Sequence, residues 1–365
     1  MLIAGTPTRT LWRSEAAGDD AVIIIDQTRL PHEFALRRLA SVADAAEAIA
    51  VMRVRGAPLI GATAAYGLAL AAVHDAGAAA LQAAGALLIA TRPTAVNLRW
   101  AVQRMLGRLL PLPAGQRVAA AWAEAAAICD EDVAQNQAIG RHGLALLQAI
   151  AAKKSGPLNI LTHCNAGWLA TVDWGTALAP IFAAQAAGLA VQVWVDETRP
   201  RNQGASLTAW ELKQAGIAHH VIADNAGGHL MQCGQVDVCI VGTDRTAANG
   251  DVANKIGTYL KALAAYDNGV PFYVAAPGPS IDFKLASGAE IPIEQRDPEE
   301  VVCIQGRAAD GRVLSVRLAP DGSPAANPAF DVTPARLVTG LITERGVCAA
   351  SAAGLAALFP ERSRE

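Results

Sequence analysis

Short apolar runs rich in β-branched residues recur through the second half of the chain, and helix-like stretches separate them. The runs lie at residues 158–162, 191–195, 219–223, 236–241 and 271–275. Runs of about four to eight such residues are typical of buried strands, and their alternation with helical segments is typical of βαβ units. Such units build a parallel sheet with helices on both faces. The pattern therefore predicts an α/β fold with a doubly wound parallel sheet in the C-terminal part.

Helical periodicity dominates the first half of the chain. A β-branched run at residues 22–26 predicts one strand there. Further on, Pro58 stands where a proline fits the first turn of a helix, and the apolar pattern continues toward Val73. A second helix is predicted over residues 96–110. We expect this half to be mainly helical, with a small sheet.

A long Ala-rich stretch joins the two halves. Residues 114–154 favour one or two helices that bridge them, because alanine has the highest helix propensity. We place a domain boundary inside this stretch. The prediction is a smaller, mainly helical domain over residues 1–135 and a larger α/β domain over residues 136–365.

The composition indicates a folded protein that acts on a small molecule. Of 365 residues, 52% are hydrophobic and 17% are charged, which argues against disorder and for a large core. A net charge of −3 provides no basic field that would attract nucleic acid or an anionic membrane. No stretch resembles a signal peptide or a membrane span, and the six cysteines lack the spacing of zinc sites or disulfide scaffolds. We therefore expect a cytoplasmic protein with reduced cysteines and neither nucleic-acid nor membrane partners.

The clearest candidate site follows the apolar run at 236–241. Asp244 would lie at the tip of that strand, where open α/β sheets collect ligands. A helix that begins near residues 252–254 would place Lys255 in its first turn, with free N–H groups that suit an anion. The alternative is that Asp244 only forms or caps a turn, which is the commoner role of an aspartate after a strand.

A cysteine lies at the end of an earlier predicted strand. Cys164 precedes a helical pattern that starts at Trp168, and a thiol near a helix N-terminus can have a lowered pKa. It could then serve as a base or nucleophile near neutral pH, although a lone cysteine is more often a small core residue. His163 should point to the opposite face and support the structure, since adjacent strand residues alternate. The neighbours Asp196 and Glu197 could act in acid–base chemistry or simply cap a loop.

Basic residues precede both predicted N-terminal helices. Arg55 and Gly56 stand just before Pro58, and Arg92 stands before the next helix start. Guanidinium groups and free N–H groups at a helix start both suit phosphate oxygens, although the arginines could equally be solvated surface residues. Gln203 follows another predicted strand. Dinucleotide, P-loop, nucleophile-elbow and zinc-protease motifs do not occur in the sequence.

These residues together carry a family resemblance. The chain resembles the S-methyl-5-thioribose-1-phosphate isomerases, in a family that also holds ribose-1,5-bisphosphate isomerases and regulatory subunits of the eukaryotic initiation guanine-nucleotide exchange factor. The likeness extends from about Asp26 to Pro334. Its motifs occur in order at residues 55–58, 92–97, 163–165, 196–200, 250–251, 254–259 and 327–334.

The resemblance implies an aldose–ketose isomerase that acts on a furanose 1-phosphate in methionine salvage. It also implies a Rossmann-like catalytic domain, a homodimer and no metal or other cofactor. Cys164 and Asp244 would be the catalytic pair. The implied substrate-binding residues are Arg55, Gly56, Ala57, Arg92, Gln203, Asn254 and Lys255. Thr243 stands where the family commonly has alanine, and Ser206 stands where it commonly has arginine. Ser206 removes a possible charge near the site, which leaves open the preference among 5-methylthio-, 5-deoxy- and other ribose phosphates. The alternative from another class is a non-catalytic sugar-phosphate-binding regulatory subunit.

Overall fold

The computed structural model describes residues 1–3, 5–16 and 18–362. The first part of the chain contains β1 (Leu2–Ile3), β2 (Thr6–Pro7), β3 (Leu11–Arg13), β4 (Val22–Ile25), β5 (Leu36–Leu39), α1 (Val42–Ala50), α2 (Ala57–His74), α3 (Ala78–Thr91), α4 (Val96–Leu109) and α5 (Ala114–Ala151). The second part contains β6 (Leu158–His163), α6 (Ala179–Ala186), β7 (Val191–Asp196), α7 (Ala209–Gln214), β8 (His219–Ile222), α8 (Gly227–Gln232), β9 (Val238–Val241), β10 (Arg245–Ala247), β11 (Val252–Lys255), α9 (Thr258–Asp267), β12 (Phe272–Ala275), β13 (Ile281–Asp282), α10 (Glu299–Val302), β14 (Cys303–Arg307), β15 (Val313–Arg317), β16 (Phe330–Thr333), β17 (Gly340–Thr343), β18 (Gly346–Cys348) and α11 (Ala352–Leu358).

The helical first half is built around α2. This helix is apolar enough to span a membrane by length and composition, but 78% of its most apolar stretch is buried inside the protein. It packs in one hydrophobic core with α1, α3, α4 and the start of α5, while β3, β4 and β5 form a small antiparallel sheet beside it. Helix α2 is therefore a core helix. The predictions of a mainly helical first half, of the strand near Val22 and of the helices after Pro58 and Ala95 are confirmed.

Helix α5 belongs to two hydrophobic cores. Its first half contributes Trp122 and Ile128 to the helical core, and its second half contributes Ile139 and Leu147 to the core under the large sheet. The Ala-rich stretch thus forms one continuous helix of 38 residues. The change of core between Ile128 and Ile139 is compatible with a domain boundary near residue 135, which stays a prediction.

The second half carries a seven-stranded sheet in the order β18, β17, β12, β9, β6, β7, β8. All neighbouring pairs are parallel except β17 and β18. Counted along the chain, the six parallel strands follow the order 3-2-1-4-5-6 of the doubly wound dinucleotide-binding fold. The predicted fold class is confirmed. The strand order reverses between β6 and β9, where such folds open a crevice at the carboxyl ends of the strands.

A second, smaller sheet stands beside that crevice, and it corrects one expectation. Strands β13, β10, β11 and β16 form this sheet. The predicted helix start at residues 252–254 is wrong, because Val252–Lys255 is strand β11, which pairs antiparallel with β10 and β16. Helix α9 begins only at Thr258, after Gly257 with a positive φ of 101°. Lys255 therefore lies at a strand end, not in a helical turn.

Candidate active site

Cys164 and Asp244 follow the two strands that flank the point of reversed strand order. Cys164 comes directly after β6, and Asp244 comes three residues after β9, which pairs with β6. The two loops approach closely, because a Cβ on Gly242 would lie 2.7 Å from the Cβ of Ala166. Both side chains line one cavity. The structure thus brings together two residues that lie 80 positions apart in the sequence.

The backbone of Cys164 is strained. Its φ is 65°, in the left-handed region that residues other than glycine seldom adopt. Such a conformation costs roughly 1–3 kcal/mol and persists only where the surroundings enforce it. Strained residues of this kind cluster at functional sites, which makes Cys164 more than an ordinary core cysteine.

The expected lowering of the Cys164 pKa is wrong. Burial raises the pKa of this thiol to about 11, and the nearby Lys255 ammonium only partly opposes the effect. The predicted helix at Trp168 is a single 3-10 turn over Trp168–Ala170, so no α-helix N-terminus lies next to the thiol. The sequence pattern overestimated the helix and could not reveal the desolvation.

Asp244 offers an acid without a partner. No hydrogen bond joins its carboxyl to any of the residues that the structure describes, although its backbone N–H donates to the Ala253 carbonyl at 3.0 Å. Burial raises its pKa, while Lys255 and Arg92 act in the lowering direction. A carboxyl in such a place can keep its proton at a higher pH than usual and donate it to a ligand.

Two arginines from the helical half reach the same cavity. Arg55 precedes α2, and its guanidinium makes no hydrogen bond or ion pair within the described part of the chain, with a buried Nε. Burial lowers the pKa of Arg55 to about 9, which leaves it charged at neutral pH. Arg92 lies on the cavity wall and forms an ion pair with Glu294 at 2.8 Å. An unpaired guanidinium that lines a cavity is a ready partner for an anion.

The start of α2 approaches the loop after β6. Gly56 has a φ of 91°, and a Cβ there would lie 2.2 Å from the carbonyl oxygen of Ala170. Only glycine fits this contact without movement of the backbone. Gly56, Ala57 and Pro58 line the cavity next to Ala170. The predicted helix-start position thus forms a wall of the site.

Strand β11 supplies the remaining cation. Lys255 is 7% exposed, donates from Nζ to the Ala329 carbonyl at 2.9 Å and lies 4.7 Å from the ring centroid of Phe330. Burial lowers its pKa, whereas Cys164 and Asp244 act to raise it. Asn254, also on the cavity wall, donates to Thr258 Oγ1 at 3.0 Å. The Lys255 ammonium is therefore close enough to interact with Cys164 and Asp244, the two candidate catalytic residues.

Gln203 completes the set of predicted site residues. It lies on the cavity wall, and its buried Oε1 has no hydrogen-bond partner in the described residues. The structure therefore places every predicted site residue in one cavity: Cys164, Asp244, Arg55, Gly56, Ala57, Arg92, Gln203, Asn254 and Lys255. Their catalytic and binding roles stay predictions at this point.

His163 lies behind the cavity, as expected from strand alternation. Its Nδ1 bonds to Asp196 Oδ2 at 2.6 Å, and its Nε2 bonds to the Ile256 carbonyl at 2.8 Å. Lys261 Nζ shares the same Asp196 oxygen at 2.8 Å. Glu197 instead accepts N–H groups of its own loop, from Thr198 and Ala205. The supporting role of His163 and the loop-capping role of Glu197 agree with these contacts.

Sequence reasoning missed several residues of the site. Met52, Pro277 and Phe330 also line the cavity, and Glu294 holds Arg92. Phe330 belongs to the motif at 327–334, which was the available signal, but nothing in that stretch indicated contact with the cavity. Thr243 lines the cavity as well, and its hydroxyl bonds to that of Thr246 at 3.1 Å. Within the described residues, no cluster of three or more His, Cys, Asp or Glu side chains could hold a metal ion.

Known proteins resemble the chain over nearly its whole length. The sequence profile of the Initiation factor 2 subunit family matches residues 53–350. Methylthioribose-1-phosphate isomerase of Rhodospirillum rubrum is 65% identical over 370 residues, which covers 100% of this chain and 94% of that protein. The protein of the same name from Gluconobacter oxydans is 60% identical over 369 residues, with 100% of both chains covered.

Two solved structures are also similar. The 5-methylthioribose 1-phosphate isomerase of Pyrococcus horikoshii superposes with a TM-score of 0.83 at 43% identity, covering 98% of this chain and 97% of that one. A structure described as translation initiation factor eIF-2B, subunit delta, from A. fulgidus superposes with a TM-score of 0.79 at 37% identity, covering 98% of this chain and 100% of that one.

Proposed function

The chain belongs to the Initiation factor 2 subunit family, and from that premise we propose that it is an aldose–ketose isomerase of methionine salvage. It converts S-methyl-5-thio-α-D-ribose 1-phosphate to S-methyl-5-thio-D-ribulose 1-phosphate. The observation that carries the proposal is the joint opening of an acid, a thiol and an unpaired guanidinium into one cavity at the crevice of the sheet. High identity to isomerases over the full length supports the same substrate.

The cations of the cavity would bind the phosphate. Arg55 is unpaired, and Arg92 is held by a single carboxylate, Glu294, which a phosphate dianion could replace. Guanidinium forks match phosphate oxygens in geometry and charge. Gln203 and Asn254 would bind sugar hydroxyl groups, since both are polar side chains on the cavity wall. Anchoring at several points would fix the ring against the acid and the thiol, which is the main source of orientation in such reactions.

Asp244 would act as the acid that opens the ring. The anomeric oxygen of a sugar 1-phosphate is esterified, so the ring opens only if its ring oxygen is protonated while the bond from that oxygen to C1 breaks. The raised pKa of Asp244 favours the protonated form that this step needs. After the step, the Asp244 carboxylate can take the proton of the C2 hydroxyl, which returns the acid to its starting state.

Cys164 would move the hydrogen between the two carbons. As thiolate it removes the proton from C2, which gives a cis-enol phosphate, and it returns the proton to C1, which leaves a ketone at C2. With a pKa of about 11, forming this thiolate at neutral pH costs about 5 kcal/mol, and Lys255 is the group placed to stabilise it. The other route is a direct shift of hydride from C2 to C1, with Cys164 only shaping the cavity. In the first route, deuterium from solvent enters C1 whenever the Cys164 thiol exchanges its proton before returning it, whereas in the second route no exchangeable proton is involved and deuterium stays out.

Removal of each group tests the proposal. We expect Cys164→Ser and Asp244→Asn to lower the kcat for methylthioribose 1-phosphate by about 10²–10⁴-fold, the usual contribution of acid–base groups. Their KM should change little, because neither group is a phosphate ligand. Wild-type turnover in both variants would contradict the assigned roles. Rates on 5-deoxyribose 1-phosphate and ribose 1-phosphate measure the substrate preference. A wild-type protein that binds these sugars and isomerises none of them would instead be a regulatory subunit.

We also propose that the enzyme is a cytoplasmic homodimer. The dimer is the assembly that the resemblance to the isomerase family implies. All six cysteines are free in the structure, as expected in a reducing compartment. Light scattering on the purified protein gives the number of chains in the assembly.

A further inference from the structure

One turn of π-helix stands between the sheet and helix α7. It covers Gly204–Thr208, and the Ala209 N–H closes it on the Gly204 carbonyl, five residues back. Single π turns inside helices are rare and often occur at functional sites. This turn follows Gln203 on the cavity wall and ends at Thr208, whose side chain is fully buried and does not line the cavity.

Two buried threonines hold the peptide groups on either side of the candidate base. The Thr208 hydroxyl donates to the Cys164 carbonyl at 2.6 Å. On the other side, the Cys164 N–H donates to Thr198 Oγ1 at 3.0 Å. Neither threonine is exposed. Both hydrogen-bonding groups of the strained residue are therefore paired with side chains from different loops.

The direction of the Thr208 hydroxyl is itself fixed. Asn165 Nδ2 donates to Thr208 Oγ1 at 3.2 Å, so the hydroxyl accepts there and has its own proton free for the Cys164 carbonyl. The same Asn165 amide donates to Glu211 Oε1 at 2.9 Å. Glu211 also accepts the backbone N–H groups of Trp168 and Leu169, at 2.9 and 3.0 Å. The loop after Cys164 is thus tied to one buried carboxylate and one hydroxyl.

We propose that Thr208, together with Thr198, is a positioning residue that keeps Cys164 in its left-handed backbone conformation and so keeps the thiol in the cavity beside Asp244 and Lys255. The inference rests on the proposed function, because it assigns the threonines a part in the reaction. It explains why a π turn interrupts the start of α7: the extra residue in the turn brings the Thr208 hydroxyl onto the Cys164 carbonyl. Without the two hydroxyls, no direct hydrogen bond to Cys164 itself opposes the preference of a cysteine for negative φ, and only the contacts of Glu211 further along the loop remain.

The test compares Thr208→Val, which keeps the shape and removes the hydroxyl, with Thr208→Ser, which keeps the hydroxyl. Thr343→Val is the matched control, because Thr343 is equally buried and its hydroxyl bonds backbone groups at the far loop between β17 and β18. We expect Thr208→Val to lower kcat about 10–100-fold with KM within about threefold, since a displacement of about 1 Å can cost that much. Thr208→Ser and Thr343→Val should stay within about threefold of wild type. Equal loss of kcat in the Val variants at both positions would overturn the proposal, because the loss would then be a general effect of removing a buried hydroxyl.

The rate at which each thiol is alkylated distinguishes a positioning role of Thr208 from a general contribution to stability. In Thr208→Val the thiol should leave its position on the cavity wall, so iodoacetamide should modify Cys164 several-fold faster at pH 8 than in wild type. Cys129 and Cys239 are buried elsewhere and report any general loosening, so their modification should not change. Faster modification of all three thiols, or an unchanged rate at Cys164, would overturn the proposal. If Thr208→Val does not fold, Thr198→Val carries the same expectations. Alkylation does not depend on the substrate, so an inactive wild type would refute the proposed function and leave this test of the positioning standing.

Discussion

Replacement of Gly56 by alanine should destabilise the protein and damage the site at once. Gly56 has a φ of 91°, and a Cβ there would lie 2.2 Å from the Ala170 carbonyl oxygen and 2.6 Å from its Cα. Carbon atoms in ordinary contact lie about 3.5–4.0 Å apart, so the backbone of one partner must move. Because Gly56 and Ala170 lie on the cavity wall, that movement also changes the shape of the site.

The magnitude has two separable parts. A residue with a Cβ costs roughly 1–3 kcal/mol at the φ of 91° and ψ of 137° that Gly56 adopts. Overpacking in a filled interior adds about 1–3 kcal/mol. We therefore expect Gly56→Ala to lower the free energy of unfolding by about 2–6 kcal/mol. With an unfolding entropy of about 2.1 cal/mol/K per residue over 365 residues, each kcal/mol shifts the Tm by about 1.3 °C, so the Tm should fall by roughly 3–8 °C.

Two other glycines separate these parts in the same chain. Gly188 has a φ of 77°, but no atom lies within 4 Å of the place that a Cβ would take, so Gly188→Ala should show only the backbone part, about 1–2 kcal/mol. Gly107 lies inside α4 with nothing within 4 Å, so Gly107→Ala should be neutral or stabilise by about 0.5–1 kcal/mol.

The assay is thermal unfolding of the three variants beside wild type, with kcat and KM measured well below each Tm. The expected order of Tm is Gly107→Ala highest, Gly188→Ala next and Gly56→Ala lowest, and only Gly56→Ala should raise KM. If Gly56→Ala has the same Tm as Gly188→Ala, the steric contribution to the loss of stability is refuted. If it has the same Tm as Gly107→Ala, both the steric and the backbone contributions are refuted.

Two further predictions concern buried charges. Lys255→Met removes the ammonium that favours the Cys164 thiolate, so kcat/KM should fall by about 10²–10³-fold, even though the pKa of the acid Asp244 then rises further. Lys213→Met on the exposed face of α7 should leave kcat/KM unchanged, and equal rates in the two variants would exclude a role for Lys255. Burial raises the pKa of Asp132 to about 7, so this carboxyl binds its proton more tightly in the folded state than in the unfolded state. As pH rises from about 4 to 7, the unfolding free energy of wild type should therefore fall relative to that of Asp132→Asn. Urea titrations of both proteins at several pH values measure this difference in unfolding free energy. A difference that stays constant with pH would contradict the prediction.

Local patterns predicted most of the fold because most of it obeys local patterns. The strands of the large sheet are short β-branched runs, and α2 and α4 begin where a proline or a polar turn allows. The error at β11 has a different origin. Val252–Lys255 is a strand because it pairs both with β10, just before it, and with β16, about 80 residues further along the chain, and no nearby residue records the second partner.

The sequence predicted which residues form the site but did not predict their pKa values. Resemblance to a family placed nine residues, and the structure brings all nine to one cavity. The pKa of Cys164 depends on desolvation by segments that are distant in the sequence, which a motif of three residues cannot contain. The hydroxyl of Thr208 was overlooked for the same reason, since only the π turn places it against the Cys164 carbonyl.

The walls of the cavity come from both hydrophobic cores that α5 joins. Arg55 and Arg92 belong to the helical half, whereas Cys164, Asp244 and Lys255 belong to the half that contains the large sheet. A sugar phosphate held by both walls binds only the form in which the two halves are docked, so its binding energy adds to the stability of the whole chain. Separated halves would each lack part of the binding surface. Affinity for the substrate and cohesion between the halves are therefore thermodynamically linked, so a change that tightens binding also makes the liganded chain harder to pull apart.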